Sequence, residues 1–276
     1  MINNFEEYIN EYFRNVKNCK IKDAMIYAME GGKRFRPQVI FSILKGMNID
    51  EEKGYDAALA LEMIQTYSLI HDDLPAMDND DMRRGKPSLH KAYREDVAII
   101  TGDELLTDSF GVISNSNCYD DNTKVKMISC LSKYSGLDGM IYGQLLDITS
   151  SNSTIDKESL IEIQDNKTSG LFKIASLMAM YINHEDNDKF YIELGSKIGQ
   201  IFQEQDDLFD LLKSEEEIGK TQSDIKNDKG TSLSLYSKDD LINLINSQFI
   251  ELDELLSNAS FNTLYLKELL LKLKNR

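Results

Sequence analysis

A length of 276 residues with 41% hydrophobic content is enough for one large domain or two small ones. The chain carries 31 basic and 47 acidic residues, a formal net charge of −16, which argues against nucleic acid or an anionic membrane as its main partner. No run reaches the roughly 18 apolar residues that a membrane-spanning helix needs, so we expect no stable membrane insertion. Three isolated cysteines and an N-terminus without signal-peptide features predict a cytoplasmic location.

Helical periodicity runs through most of the chain. Prolines occur only at positions 37, 75 and 87, and no alternating pattern of strand length is present. We therefore predict an all-α fold with about ten or more helices in a single domain, residues 1–276. The predicted helices include 2–17, 20–30, 55–73, 123–148, 187–212, 238–257 and 262–275.

A basic turn follows the second predicted helix. That helix ends at Gly31-Gly32, a glycine signal for a helix C-terminus, and Lys33-Arg34-Phe35-Arg36 comes next, with Pro37 placed to open another helix. Cations beside a helix N-terminus and flexible glycine backbone form a site for an anion. An ordinary basic surface turn is the alternative, which this motif alone does not exclude.

The predicted helix 55–73 is apolar on nearly every side, which is typical of a core helix, yet it ends in acidic residues. Five carboxylates fall within ten residues, at positions 72, 73, 78, 80 and 81. On a continuous helix Asp78 would point away from Asp72, because six residues rotate by about 240°. Pro75 ends the helix and lets the chain turn back. Carboxylates grouped without cysteine suit Mg²⁺; a solvated acidic loop is the alternative.

Two later motifs add further charge to an otherwise apolar pattern. A predicted helix beginning near Asp156 bears Lys167-Thr168 before an apolar run, which favours an anionic partner, although a lysine reaching solvent along its stem fits equally well. Downstream, Asp206 and Asp210 are four residues apart and share a helix face. A second acidic cluster of this kind favours divalent ions shared between the two clusters.

The chemistry implied is that of a diphosphate, because Mg²⁺ prefers to be shared between a few carboxylates and phosphate oxygens. Two separate cationic sets, Lys33/Arg36 and Lys167/Lys220/Lys229, indicate two diphosphates bound at once. An apolar helical core beneath the aspartates is suited to a hydrocarbon. The polar loop 219–231, which follows the second acidic cluster directly, is placed where a flexible lid would be useful.

Taken together, these motifs resemble the trans-isoprenyl diphosphate synthases, and most closely the bacterial farnesyl diphosphate synthases. The resemblance covers nearly the whole chain in order and is specific only as a set. The matching motifs are Gly31-Gly32-Lys33-x-Phe35-Arg36-Pro37, Asp72-Asp73-x-x-x-x-Asp78 with Arg83-Arg84, Lys167-Thr168, Gln203-x-Gln205-Asp206-Asp207-x-x-Asp210 and Gly219-Lys220.

The resemblance implies a helical bundle around a deep central cavity, Mg²⁺ as cofactor with three ions when substrate is bound, and a homodimer. The implied metal-binding residues are Asp72, Asp78 and Asp206, supported by Asp73, Asp207 and Asp210. Isopentenyl diphosphate would be held by Lys33, Arg36, Gln65 and Arg84, and the allylic diphosphate by Arg83, Lys167, Gln203, Lys220 and Lys229. The implied catalytic residues are Lys167, Thr168 and Gln203, the last two steadying an allylic carbocation with their dipoles.

Product length is predicted from the residues that precede Asp72. Tyr67 lies five residues earlier, about 7.5 Å down the helix, where a growing chain would meet its ring. In the family, an aromatic residue here combined with two extra residues in the acidic motif goes with a C15 product, so Tyr67 and Ser68 are the predicted chain-length residues. The predicted lid loop departs from the family pattern at Gln222 and Gly230.

Four alternatives remain at this point. A geranylgeranyl diphosphate synthase would share every motif except Tyr67 as the floor of the cavity, the residue that stops the growing chain. A class I terpene cyclase would not need the Lys33/Arg36 site or the paired second acidic motif. A catalytically inert partner subunit should have lost aspartates from one cluster, and none is missing. An acidic helical scaffold without any ligand is the last.

Overall fold

The structure is a computed structural model that describes residues 4–150, 156–218 and 235–274, without the side chains of 210, 211 and 213–218. The all-α prediction is confirmed: the described part of the chain contains thirteen α-helices. They are Phe5–Asn15 (α1), Lys20–Met29 (α2), Phe35–Gly46 (α3), Tyr55–Asp72 (α4), Leu89–Tyr93 (α5), Glu95–Asn115 (α6), Asp121–Ser135 (α7), Met140–Ser150 (α8), Lys157–Lys167 (α9), Ser169–Ile182 (α10), Asp188–Ile218 (α11), Lys238–Leu256 (α12) and Leu264–Lys274 (α13).

Short non-helical elements connect some of these helices. A 3₁₀ turn, Glu51–Gly54, precedes α4. A minimal antiparallel hairpin joins Met82–Arg83 (β1) to Lys86–Pro87 (β2), with Arg83 paired to Lys86. Arg84 and Gly85 form its turn, and both have positive φ angles, 53° and 77°. This hairpin places the two arginines that follow the first acidic cluster.

Two predicted helices are each divided in the structure, which corrects the sequence prediction. The segment 123–148 breaks between α7 and α8, because Gly136 follows the end of α7 and the backbone at Gly139 approaches the Tyr134 carbonyl too closely for a Cβ. The helix carrying Lys167-Thr168 also breaks, with α9 ending at Lys167 and α10 beginning at Ser169.

The core is built around α4 and α10, whose side chains are buried on nearly all sides, as the apolar sequence of α4 predicts. α4 packs lengthwise against α6, and α10 against α11. Leu59, Leu61 and Met63 of α4 are fully buried, and each contributes roughly 1.5–3 kcal/mol by leaving water. A rigid α4 therefore carries the first acidic cluster at its carboxyl end.

The first helix is fastened to this core by polar contacts as well as by aromatic packing. Phe5 and Tyr8 both pack against the ring of Tyr55 at the start of α4. The Tyr8 hydroxyl donates to Asp56, and the Tyr12 hydroxyl donates to Asp108 of α6 over 2.7 Å. Within the described ranges, none of the helices combines the length and apolar character needed to cross a membrane.

Candidate active site

A cavity of about 1040 Å³ opens among α3, α4, α6, α8, α11 and the junction of α9 with α10. Twelve of the predicted site residues line it: Lys33, Arg36, Gln65, Tyr67, Ser68, Asp72, Arg83, Arg84, Lys167, Thr168, Gln203 and Asp206. Residues 220 and 229 and the side chain of residue 210 lie outside the described part of the chain. The structure thus brings together residues that are as far apart in sequence as Lys33 and Asp206.

The turn at Pro75 returns the chain to the end of α4, as the sequence predicts. The amide nitrogen of Asp78 lies 2.9 Å from the carbonyl oxygen of Asp72, and the amides of Met77 and Asn79 both donate to the carbonyl of Leu74. The backbone of Asp78 is therefore held beside Asp72. Its side chain is exposed and does not line the cavity.

Asp73 lies apart from the cavity, which differs from the position expected of a supporting metal residue. Its buried carboxylate accepts hydrogen bonds from Nε and Nη2 of Arg83. Nη2 of Arg83 also lies 3.2 Å from a carboxylate oxygen of Asp80. The pair therefore fixes Arg83, which lines the cavity, and the contribution of Asp73 to metal binding stays a prediction.

Asp72 is the carboxylate of this cluster that faces the cavity. Burial raises its pKa to about 6; Lys167 acts in the opposite direction and Asp78 adds to the rise. A buried carboxylate is costly unless a cation or hydrogen bonds compensate it. The site therefore provides a half-buried anion that additional positive charge would stabilise.

Lys167 has a partner that the sequence analysis missed. Its ammonium lies 2.5 Å from Oδ2 of Asp147, on the neighbouring α8. A Cβ at Gly143, one turn earlier on α8, would overlap the backbone of Lys167, so only glycine permits this close approach. A glycine four residues before an aspartate was the available signal, because positions four apart share one helix face.

Two successive side-chain hydrogen bonds connect the α9–α10 junction to α11. The Thr168 hydroxyl donates to Oε1 of Gln203 over 2.7 Å, and Nε2 of Gln203 donates to Oδ1 of Asp207 over 2.9 Å. Both ends of the Gln203 amide are thereby fixed. Asp207 is buried behind Gln203 rather than facing the cavity, whereas Asp206 lines it.

A basic wall forms the side contributed by α3 and the hairpin. The guanidinium of Arg36 lies over the rings of Phe172 and Phe202, at 4.7 and 5.5 Å, and its Nε has no hydrogen-bond partner among the described residues. Burial lowers the pKa of Arg36 to about 10, against the opposing effects of Glu62 and Asp206.

Arg84 and Lys33 extend this basic wall. Nη1 of Arg84 donates to the carbonyl oxygens of Ala28 and Glu30, and the side chain of Lys33 is exposed where it lines the cavity. With Arg36 they place three cations on one side of the cavity.

The remainder of the cavity is suited to a hydrocarbon. Its apolar lining is given by Leu69, Leu106, Met140, Ile141, Leu145, Ile148 and Phe202. Tyr67 is almost fully buried at this surface, its ring packs edge-on against His71, and its hydroxyl has no partner among the described residues. Ser68 donates its hydroxyl to the carbonyl of Gln65.

The donor set fits Mg²⁺ bound together with a phosphate rather than Mg²⁺ bound by the protein alone. In the part of the chain that is described, no three histidine, cysteine, aspartate or glutamate side chains converge into a ready metal cage. Mg²⁺ is usually bound through one or two carboxylates plus substrate phosphates. Asp72 and Asp206 supply such carboxylates. The Oε1 atoms of Gln65 and Gln144, which also line the cavity, are buried acceptors without a hydrogen-bond partner among the described residues.

Comparison with known proteins gives the class of this molecule. The model of the polyprenyl synthetase family matches residues 18–260, so the chain belongs to the polyprenyl synthetase family. The farnesyl diphosphate synthase of Micrococcus luteus is 40% identical over 251 residues, which cover 89% of this chain and 85% of that protein.

Solved structures agree over almost the whole chain. A geranyltransferase from Legionella pneumophila has a TM-score of 0.87 and 33% identity, covering 99% of this chain and 93% of that one. A geranyltransferase from Helicobacter pylori in complex with magnesium and isoprenyl diphosphate has a TM-score of 0.82 and 30% identity, covering 98% and 94%. The resemblance inferred from the motifs is therefore confirmed.

Proposed function

We propose that the protein is a Mg²⁺-dependent prenyltransferase that condenses isopentenyl diphosphate head-to-tail with dimethylallyl or geranyl diphosphate to give farnesyl diphosphate. One observation carries this proposal. A single cavity combines carboxylates from two helices, Asp72 and Asp206, with cationic side chains and a hydrocarbon lining that includes Tyr67. A diphosphate head with an apolar tail matches both parts of that cavity.

The two diphosphates would occupy opposite cationic sets. Arg83, Lys167 and Gln203 would hold the allylic diphosphate. Lys220 and Lys229 would also bind it. Isopentenyl diphosphate would be held by Lys33, Arg36, Gln65 and Arg84. The Nε of Arg36 supports the second assignment, because this buried donor is left without a hydrogen bond by the described residues.

The residues that would hold Mg²⁺ are Asp72, Asp78 and Asp206, with Asp73, Asp207 and Asp210 in support and three ions in the substrate complex. When bound, the ions neutralise the departing diphosphate and so favour cleavage of the allylic carbon–oxygen bond. Asp72 supports this role, since the unfavourable burial of its charge is relieved by a cation.

The condensation itself would need little acid–base chemistry from side chains. The allylic C1–O bond breaks to give a carbocation and diphosphate, and the double bond of isopentenyl diphosphate supplies its electron pair to form the new carbon–carbon bond. A proton is then lost to the departed diphosphate. Thr168 and Gln203 would face the cation with their oxygen dipoles, which their mutual hydrogen bond holds in place.

Product length would be limited by Tyr67 and Ser68. The Tyr67 ring is buried where it lines the cavity, so a chain extending down α4 from Asp72 meets it. This favours a C15 product. Geranylgeranyl diphosphate, a C20 product, is the alternative within the class, and a non-catalytic helical partner subunit is the alternative from another class.

We further propose a homodimer. Ile141, Leu145 and Ile148 share one face of α8 and line the cavity, yet they are 46%, 51% and 50% exposed. Apolar side chains exposed as a group indicate a surface that a partner covers. A second copy would complete the wall of the hydrocarbon part of the cavity.

The experiment that tests the function uses purified protein, Mg²⁺, isopentenyl diphosphate and each allylic starter separately. The products are dephosphorylated and the alcohols identified by chromatography. We expect farnesol from both starters and no product when Mg²⁺ is chelated. Geranylgeraniol as the main alcohol would replace the C15 assignment, and tight binding of both substrates without turnover would favour the partner subunit.

A further inference from the structure

Arg34 has an unusual place in the basic turn between α2 and α3. It is only 9% exposed and lies at the N-terminal cap of α3 with a φ angle of +52°, the left-handed region that costs a non-glycine residue free energy. A strained conformation of a buried, charged residue persists only where surrounding contacts enforce it. Those contacts are visible at each nitrogen of the guanidinium.

All three nitrogens of Arg34 are engaged by protein atoms. Nη1 donates to Oε2 of Glu62 over 2.7 Å, Nε donates to Glu6 over 2.8 Å, and Nη2 donates to the carbonyl of Met29 over 2.7 Å. These partners belong to α4, α1 and α2. Arg34 therefore ties three helices to the turn, and each of its side-chain nitrogens is bonded to the protein although the residue lines the cavity.

The contacts of Arg34 reach the cations proposed to bind isopentenyl diphosphate. A Cβ at Gly32 would lie 2.7 Å from Nη1 of Arg34 and 3.4 Å from Nη1 of Arg84, so the turn is confined between two guanidiniums. Glu62 is 3% exposed. Burial lowers the pKa of both Arg36 and Arg84, and the charge of Glu62 acts against that lowering in each. One buried carboxylate thus binds Arg34 directly and acts through its charge on two further arginines.

From this geometry we infer that Arg34 is a positioning residue for the isopentenyl diphosphate site. Bound to Glu62, it fixes the turn that presents Lys33 and Arg36, without touching the substrate itself. The inference rests on the proposed function, because it assumes that these two cations bind that diphosphate. A shift of about 1 Å in positioning groups costs on the order of 100-fold in rate, so the effect is measurable.

The test measures binding of isopentenyl diphosphate alone by calorimetry, together with the KM for each substrate. The variants are Arg34→Lys, which keeps the charge but loses the fork of donors, and the double variant Arg34→Met/Glu62→Met, which removes both members of this buried ion pair together. Tyr12→Phe is the control, because it removes another hydrogen bond that fastens α1 without touching the turn.

We expect both Arg34 variants to bind isopentenyl diphosphate about 10- to 100-fold more weakly, with the KM for the allylic substrate within about twofold of wild type. Tyr12→Phe should leave both the affinity for isopentenyl diphosphate and the allylic KM unchanged. A double variant that folds and binds isopentenyl diphosphate like wild type would overturn the inference, as would an equal rise in both KM values. Wild-type protein that fails to bind isopentenyl diphosphate would instead refute the proposed function.

Discussion

The ammonium of Lys167 lies 2.5 Å from the carboxylate of Asp147, so α8 supplies the counter-ion of a lysine that lines the cavity. The two side chains are 32% and 35% exposed, and partly exposed ion pairs contribute only about 0–1 kcal/mol to stability. The pair therefore matters for where the ammonium points more than for folding.

We expect Asp147→Asn to raise the KM for the allylic diphosphate about tenfold, because the ammonium is no longer held at the cavity wall. The free energy of unfolding should change by less than about 1 kcal/mol. Glu251→Gln is the matched control, since it breaks a 2.7 Å ion pair with Lys197 that does not line the cavity. Steady-state kinetics and urea unfolding measure both quantities; an unchanged allylic KM would contradict the expectation.

Gly102 of α6 is packed directly against His71, the residue before Asp72. A Cβ at this glycine would overlap the imidazole, whose Nε2 lies 3.1 Å from the carbonyl of Ile99. Gly102→Ala should displace the end of α4, with a cost of about 1–3 kcal/mol in stability and a clear loss of activity.

Gly111 is the control for this change, because it lies on the same helix and a Cβ there would meet only Asp108, at 3.3 Å. Gly111→Ala should be neutral or slightly stabilising, since alanine favours a helix by about 0.5–1 kcal/mol over glycine. Thermal unfolding and the product assay compare the two variants. Equal behaviour of both would show that the contact with His71 is unimportant.

Tyr67→Ala should lengthen the product from C15 toward C20, because it removes a buried ring from the lining of the cavity. The loss of a buried aromatic side chain costs about 3–5 kcal/mol, so folding is checked by circular dichroism before the products are compared. Tyr67→Phe removes only the hydroxyl, which has no hydrogen-bond partner among the described residues, and should retain the C15 product. If radio-chromatography shows the same product length for Tyr67→Ala, the floor lies elsewhere.

Alkaline pH should loosen the N-terminal helix. Burial and a hydrogen bond to Asp108 raise the pKa of Tyr12 above its ordinary value of 10.0. The unfolded chain ionises this phenol first, so its contribution to stability is complete below pH 10 and is lost as pH rises from 10 through the folded-state pKa. Urea unfolding at about pH 8 and 10.5 should show a smaller loss of stability in Tyr12→Phe than in wild type. Equal losses would contradict this assignment.

Much of the site was predictable because it depends on local sequence. The apolar surface of α4 predicts its burial, and Pro75 predicts the turn that the bond between Asp78 and Asp72 confirms. The pairing of Asp73 with Arg83 was not predictable, since it depends on where the hairpin folds back. The Lys167–Asp147 pair was missed because helical periodicity was extended across the glycines that separate α7 from α8.

The proposed function requires Asp72 and Asp206, which belong to different helices, to bind one diphosphate together through Mg²⁺. Calorimetry with inorganic diphosphate measures this directly, with and without Mg²⁺, for wild type, Asp72→Asn, Asp206→Asn and the double variant. We predict binding only with Mg²⁺ and a loss of at least about 100-fold in each single variant, with little further loss in the double variant because both carboxylates act on one ligand. Diphosphate binding that is independent of Mg²⁺, or equally tight in all four proteins, would contradict the account.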